Sequence, residues 1–486
     1  MYFHVLFSQR LNQAIIFGSD VGMMQILDFR RNPPEIKEFN SLLTTNENPF
    51  YITDDKDSLW MYGNGCSFSD ANGNIVLGKD LFDLGFDTSY CYSGLIDNQG
   101  MLIIPNKNGN YFILNKHLHR EIGSNFVELY GLKIRIGNVD KFFNYTIIKE
   151  LVDTVEGGNI AACKKSDGAW WVIDQKYHKN EYLKYIIENN SVKDISYQTI
   201  GLVQNFKGAS VGSALFSPDG TQYAFSNAYD GVFLFDFDRE TGLLSNPRNV
   251  LKNDSVSNAA AIFGLAFSAN SRYLYACCNR YLYQVDTKQT ELVDGLVMID
   301  SAGIKEKSAC GPYPQSFYKP WLAPDCRIYV IPGSSDWCIH VIQNPDFPGK
   351  LCNFEKSAIK VPFYYYHSLP TYINEMLDIG PPCDSTLPLP VATADLSFSQ
   401  IGELIVSPNP TSGTMRILGI DADTYISEIN IMNMNGTREM QLKPNERLTS
   451  SGLSVDASIL NNGIYVLQAI TKAGAFYIGK FVVMKQ

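Results

Sequence analysis

Short apolar runs alternate with clusters of Ser, Asp, Asn and Gly along nearly the whole chain. Between Leu11 and about Leu377 no stretch has the three- and four-residue apolar spacing of an amphipathic helix. β-Branched and aromatic residues are plentiful there, which predicts an all-β region. One unit recurs within it: an apolar strand, a turn of Ser, Asp, Asn or Gly, then a second apolar strand. Its clearest copies are 214–224 (Ser217-Pro218-Asp219-Gly220), 265–275 (Ser268-Ala269-Asn270-Ser271) and 321–330 (Ala323-Pro324-Asp325-Cys326). Looser copies lie at 163–172, 95–102 and 68–75, and in each the turn is expected to join two strands of one sheet.

The last turn residues Gly168, Gly220, Ser271 and Cys326 stand 52, 51 and 55 residues apart. A period near fifty, filled with strands, is the mark of propeller blades. A body of about 370 residues at that period gives about seven of them. The strands 231–236 and 282–286 that follow two of the turns complete their sheets. Cys326 and Ser271 replace the usual turn glycine, so these two turns are expected to be looser.

From about Leu396 the pattern changes. Apolar runs at 404–406, 415–418, 426–434, 464–470 and 476–484 are closer together, separated by Pro-Asn-Pro, Asn-Gly and Asn-Asn-Gly, which is turn chemistry. This predicts a small immunoglobulin-like β-sandwich over 396–486. Pro408 and Pro410 belong in a turn because neither donates to a ladder, and Gly413, Gly436 and Gly463 are expected to free the backbone at bends. The prolines of 380–395 predict an extended, protease-accessible linker between a propeller at 11–379 and this sandwich. The apolar start, residues 1–10, reads as the end of a signal peptide whose beginning lies upstream, with cleavage near Ser8 to Arg10. A first strand is the alternative.

Charge narrows the partners. The net charge is −10, from 40 Lys and Arg against 50 Asp and Glu. No basic cluster offers a surface to phosphates, which excludes nucleic acid as a partner. The sandwich holds seven residues of each sign, so the negative excess lies upstream. All ten cysteines lie there too, none in a metal-finger CxxC pair. In an exported chain, disulfides are expected among Cys310, Cys326, Cys338, Cys352 and Cys383, which cluster, with buried free thiols as the alternative. No apolar run is long enough for a membrane helix.

Two resemblances follow from these residues. Val406 to Gly413, Ile429 to Gly436, Asn462 to Leu467 and Gly479 to Lys485 resemble, in that order, the type A C-terminal sorting domain of cargo of the Bacteroidetes type IX secretion system. The matching motif residues are Pro408, Asn409, Pro410, Gly413, Gly436, Gly463, Tyr465, Lys480, Val482 and Lys485. The body resembles secreted WD-like propeller proteins of the same bacteria, through Ile16-Phe17-Gly18, Ser69 to Asn74, Trp170-Trp171-Val172, Phe216 to Gly220, Leu234 to Asp238, Leu322 to Asp325 and His340 to Asp346. The resemblance implies transit through the periplasm, delivery to the cell surface or medium, and a translocon and sortase as partners. The sortase would remove the sandwich near the linker.

Candidate chemistry is sparse. Gly208-Ala209-Ser210-Val211-Gly212 matches the serine-hydrolase GxSxG, but a strand follows it where that motif needs a helix. Asp236, Asp238, Glu240 and Gly242 lack the bidentate glutamate of a calcium loop. Ser166-Asp167-Gly168 before Trp170 is a compressed Asp-box. His117 and His119 share a strand face without a third ligand. Trp170, Trp171, Tyr364 and Tyr365, near Tyr366 and His367, are candidates for stacking on sugar rings, against the commoner use of aromatics as core fillers. These observations predict a monomeric, secreted or surface-bound propeller without metal or cofactor. It binds protein or carbohydrate through loops and has no assigned catalytic residue. An extracellular propeller hydrolase or lyase acting on polysaccharide or peptide is the rival, and a structural repeat in a surface filament is a third class.

Overall fold

The computed structural model describes residues 14–365 and 401–485 except 19–21, 30–32, 46–48, 54–57, 83–90, 92–93, 95–98, 107–109, 120–130, 154–159, 177–178, 204–211, 228–229, 252–260, 290–294, 304–307, 334–335, 419–424, 434–437, 445, 448–451 and 472–475. The expected signal-peptide remnant, the linker 380–395, Gly208–Val211, Tyr366, His367, Cys383 and Gly436 lie outside the described residues. The chain separates into two compact units, Met1–Ser385 and Thr386–Gln486.

Seven antiparallel sheets follow one another through the first unit. Blade 1 shows three described strands, Ala14–Gly18, Gly22–Asp28 and Glu35–Ser41. Blades 2 to 7 have four each and span 50–77, 101–153, 161–199, 212–251, 264–301 and 319–365. Within every sheet consecutive strands pair in order, which is the meander of a propeller blade.

Neighbouring sheets bury their faces on each other. Blades 3 and 4 share Leu102, Phe112, Ile134, Trp170, Leu183 and Tyr185, and blades 4 and 5 share Trp171, Tyr182, Phe216, Tyr223 and Phe225. The last such interface closes the ring. Leu27 and Phe29 of blade 1 pack on Trp321, Tyr329 and Ile331 of blade 7, with the Phe29 ring 5.5 Å from Trp321 and 5.1 Å from Tyr329. The body is therefore a seven-bladed propeller. First strands of blades 4 to 7 adjoin one another around the centre. The fourth strand of blade 4, Ser191–Thr199, is largely solvated, as an outermost strand should be.

The recurrent turn joins first and second strands. In blade 5 the Ser217 hydroxyl donates to Asp219 (2.6 Å) and accepts from the Gln222 amide (3.0 Å), while Asp219 accepts from the Thr221 amide (3.0 Å). Blade 6 repeats this with Ser268, Asn270, Arg272 and Tyr273. The expectation that Ser271 and Cys326 loosen their turns is overturned. Their φ values, +62° and +69°, match the +67° of Gly220, and all three amides close the turn at 2.8–3.0 Å. Side-chain bonds of Ser268 and Asn270 brace the Ser271 turn, and Asp325 accepts from the Arg327 amide (3.2 Å) in the Cys326 turn, so neither needs a glycine to stay tight. Gly220→Ala is expected to cost only about 1 kcal/mol, read as a small drop in thermal midpoint.

Two looser copies are not equivalent to this turn. Asp70 to Asn74 joins the third and fourth strands of blade 2, and Gln99-Gly100 precedes the first strand of blade 3. The motif reports a tight turn with an Asx or Ser side chain, wherever in a blade such a turn falls.

The second unit is a β-sandwich. Five strands run in the order Ile401–Glu403, Phe476–Val483, Gly463–Thr471, Tyr425–Asn433, Arg438–Leu442, with Glu446–Arg447 also on Tyr425–Asn433. A second sheet holds Ile405–Ser407, Thr414–Leu418 and Leu453–Asp456. Met415, Ile417 and Val455 from the smaller sheet meet Ile429, Ile431, Leu467, Ala469 and Phe481 from the larger in one core.

Candidate functional site

The two faces of the propeller differ in what they carry. Turns from first to second strand, at 165–169, 217–221, 268–272 and 323–327, are short and equal in length. Of the connections that leave one blade and enter the next, on the opposite face, four are long, 78–100, 200–211, 252–263 and 302–318, and two are shorter, 42–49 and 154–160. The short-turn face is tied down. The Asp219 amide donates to Ser271 Oγ of the next blade (3.0 Å), and the Asn270 amide to Asp346 Oδ1 beyond it (2.9 Å). Burial pushes the Asp346 carboxyl up, opposed by that hydrogen bond.

At the loop face one side chain links two parts of the ring that are not adjacent blades. Gln99, in the connection before blade 3, accepts at Oε1 from the Ala214 amide (2.7 Å) and donates from Nε2 to the Ala214 carbonyl (3.1 Å). Ala214 lies on the first strand of blade 5, so the carboxamide occupies both backbone groups as a pairing strand would. Gln99 itself holds φ +50°.

Below this face lies a fully buried ion pair. Lys116 Nζ stands 2.9 and 2.7 Å from the two carboxylate oxygens of Asp174, both side chains at 0% exposure. They sit on the second strands of blades 3 and 4. Nearby, the hydroxyl of buried Tyr185 has no hydrogen-bond partner among the described residues, and burial together with the Asp174 charge pushes its pKa well up. Buried His340 accepts at Nδ1 from the Ser357 amide (2.9 Å) and sits 3.1 Å from the Ser316 carbonyl through Nε2, so both ring nitrogens are engaged in structure. In the blade 7 turn burial raises the Asp325 carboxyl, against the hydrogen bond that Tyr329 donates (2.7 Å).

The sequence-derived sites divide sharply. Trp170 and Trp171, 3% and 6% exposed, do not form a sugar platform: as neighbours in one strand they point to opposite faces of blade 4. Trp171 donates from Nε1 to the Arg239 carbonyl (2.9 Å) and lies against Gly242, where a Cβ would come within 2.5 Å of its ring. That contact, and the Asp238 carboxylate accepting from the Glu240 amide (2.9 Å), belong to a hairpin turn at 239–242 that follows the strand Gly231–Asp238. Tyr365 is fully buried and donates to the Cys338 carbonyl (2.6 Å). Tyr364 precedes it in the same strand. Gly212 opens the first strand of blade 5, where a Cβ would stand 2.1 Å from the Ser226 carbonyl oxygen, so it serves close packing. His117 and His119 lie on the second strand of blade 3, Tyr111–His119.

The second unit brings its motif residues together. Asn409 accepts at Oδ1 from the Val482 amide (2.8 Å) and donates from Nδ2 to the Lys480 carbonyl (3.2 Å). Buried Thr411 pairs its backbone with Val482 and Met484 (2.8 and 2.9 Å). The Pro408–Pro410 turn is thus fastened along the edge of the last strand. At its end Asn462 accepts from the Lys485 amide (2.7 Å), and Lys485 Nζ donates to the Ser458 carbonyl. Tyr465 stacks on Phe481 with centroids 5.6 Å apart and donates to the Asn461 carbonyl (2.9 Å). Pro408, Asn409, Pro410, Lys480 and Lys485 remain exposed.

A scan against protein families matches residues 406–484 to the secretion system C-terminal sorting domain. The chain carries that sorting domain. It directs export by type IX secretion to the cell surface or the extracellular space. Among curated proteins the sequence search found no match. Similar solved structures include a protein from Lactobacillus plantarum (13% identity, covering 74% of this chain and 99% of that one, TM-score 0.43) and apo AztD from Citrobacter koseri (10%, 73% and 96%, 0.34). The Dos1 propeller is a third (9%, 66% and 74%, 0.37).

Within the sorting domain the expected glycine roles need correction. Neither Gly413 nor Gly463 has a positive φ, and a Cβ at Gly413 meets nothing within 4 Å. Glycine is demanded instead at Gly479, where a Cβ would lie 2.7 Å from both Cβ and O of Leu404, and at Gly452, with φ +75°. No turn signal marks Gly479, because the crowding comes from the crossing chain. Gly479→Ala is expected to destabilise the sorting domain by about 2 kcal/mol, measured as a lower melting midpoint of the isolated transition.

Proposed function

We propose that this chain is an exported recognition protein whose propeller binds an extracellular protein or carbohydrate through the loop face, without turnover. The observation that carries this reading is the asymmetry of the ring: the long inter-blade connections leave on one face, where Gln99 ties the connection before blade 3 to blade 5. A rigid ring with long loops on one side places many contact groups side by side and needs no reactive centre among them. The buried acid and base groups of blades 3, 4 and 7 support it, since Lys116, Asp174, His340 and Asp325 are all engaged in holding strands or turns together.

The test is a panel of polysaccharides and proteins presented to the purified propeller. Saturable binding with no product released over hours is the expected result. Released product abolished by a single carboxylate substitution on the loop face would replace this reading with that of a hydrolase or lyase. The same reading expects a surface sortase to remove the sorting domain. Peptide mapping of the extracellular form should find the mature chain ending between Cys383 and Leu396, and an intact C-terminus at Gln486 would oppose it.

A further inference from the structure

Two connections of the loop face share one construction. The connection 78–100 is anchored at its start by Phe82, fully buried with its ring 4.9 Å from Phe68 and 5.2 Å from Tyr145, and by Arg135 Nη1 donating to the Leu81 carbonyl (2.9 Å). Gln99 anchors its end on Ala214. Between those anchors Cys91 forms a disulfide with Cys66, in the second-to-third-strand connection of blade 2.

The connection 302–318 repeats the plan. The Ala302 amide donates to the Arg280 carbonyl (2.7 Å), and at the other end buried Phe317 bridges Asn279. Between them Cys310 is joined to Cys338 on the third strand of blade 7. In both cases packing and hydrogen bonds hold the two ends, and a covalent bond holds one cysteine between them. Cys66 and Cys338 are buried, whereas Cys91 and Cys310 are half-exposed, which gives a thiol reagent an approach to each bridge.

We propose that Cys66–Cys91 and Cys310–Cys338 are redox latches that tie these two connections down at Cys91 and Cys310 and so complete the recognition face only once the chain has left the cytoplasm. This rests on the reading of the loop face as the binding surface. Each latch closes when one cysteine thiolate attacks an external disulfide, releasing one thiol, and the second cysteine thiolate displaces the other. Two electrons and two protons pass to the external disulfide, and a dithiol reverses the reaction. The cytoplasm keeps thiols reduced, so the latches close beyond it. The free thiols of Cys163, Cys277, Cys278 and Cys352 stand apart from this exchange. All four are buried, and burial holds Cys163 and Cys278 at about 12 and Cys352 at about 11. Cys326, on the short-turn face, is also disulfide-bonded, so paired substitutions are needed to isolate each latch.

Hydrogen exchange read by mass spectrometry on the full chain tests this. In Cys66→Ser/Cys91→Ser, peptides that contain position 91 are expected to exchange at least about tenfold faster, and in Cys310→Ser/Cys338→Ser those that contain position 310, while strands 222–227 and 328–331 stay protected. If a variant fails to accumulate, dithiothreitol added to the folded wild type reads the same peptides. Unchanged loop exchange overturns the proposal, as does equal acceleration in loops and strands. Because the readout needs no ligand, it separates the two readings. Loosened loops with undiminished binding on the panel remove the latches from recognition. Loosened loops where the oxidised protein binds nothing sink the binding reading alone.

Discussion

A chain ending at Ser385 is expected to fold its propeller and yet fail to appear at the cell surface or in the medium. The two units are separately compact, with cores that share no residue: the sorting domain packs around Met415, Ile431, Leu467 and Phe481, while each blade interface draws only on residues before 366. Truncation removes the address without opening a blade. Immunoblots of cell-associated and extracellular fractions, with far-ultraviolet circular dichroism of the purified fragment, give the check. A fragment that still reaches the medium would show that the propeller carries its own route. Asn409→Ala is the finer probe. It removes the two hydrogen bonds that fasten the Pro-Asn-Pro turn to Val482 and Lys480, each worth about 1 kcal/mol, and is expected to lower export while the propeller transition stays in place.

The second large effect lies under the loop face. Lys116→Ala is expected to destabilise the propeller by about 3–5 kcal/mol, because it strands the Asp174 carboxylate in an interface that excludes water. The cost is the desolvated charge left behind, and the net worth of the pair is smaller. The double change Lys116→Met/Asp174→Leu, which replaces both charges by apolar side chains, is therefore expected to recover most of that loss. Urea midpoints followed by tryptophan fluorescence serve as the measure, since Trp170 packs in the same blade 3–4 interface. If the double variant is as unstable as the single, the pair is required by its position and not only by its own charges.

The propeller was legible because its signals are local. A turn of Ser, Asp and Gly constrains residues within five positions of itself, and period-two alternation constrains a single strand. Three turns of this kind, with the Gly168 copy, set the blade period and with it the seven sheets. The same local rule misplaced two copies, at Asp70 and Gln99, because any tight turn uses those side chains wherever it falls. It also misread Ser271 and Cys326, which take the left-handed conformation and close their turns as Gly220 does. Trp170 and Trp171 drew attention as an aromatic pair, but strand geometry sends neighbours to opposite faces, and both vanish into cores. In the sorting domain the motif order identified the family, whereas the crowding at Gly479 needed the crossing chain at Leu404 to become visible.

Disulfides divided along the same line. Clustering pointed to Cys310 and Cys338, which are joined, but also to Cys352, which is a buried thiol, and it gave no sign of Cys66–Cys91. By itself, then, the sequence determined the strand content, the blade period and the export address, all set by chemistry acting over a few residues. Only the tertiary structure decided the ring closure by Phe29 against Trp321, the Gln99 bridge to Ala214 across 115 residues, the Lys116–Asp174 pair across 58, and the cysteine partners. Those contacts join residues from different blades or connections, and stacking and chain crossing bring them together. No local preference encodes which position faces which until the ring has closed.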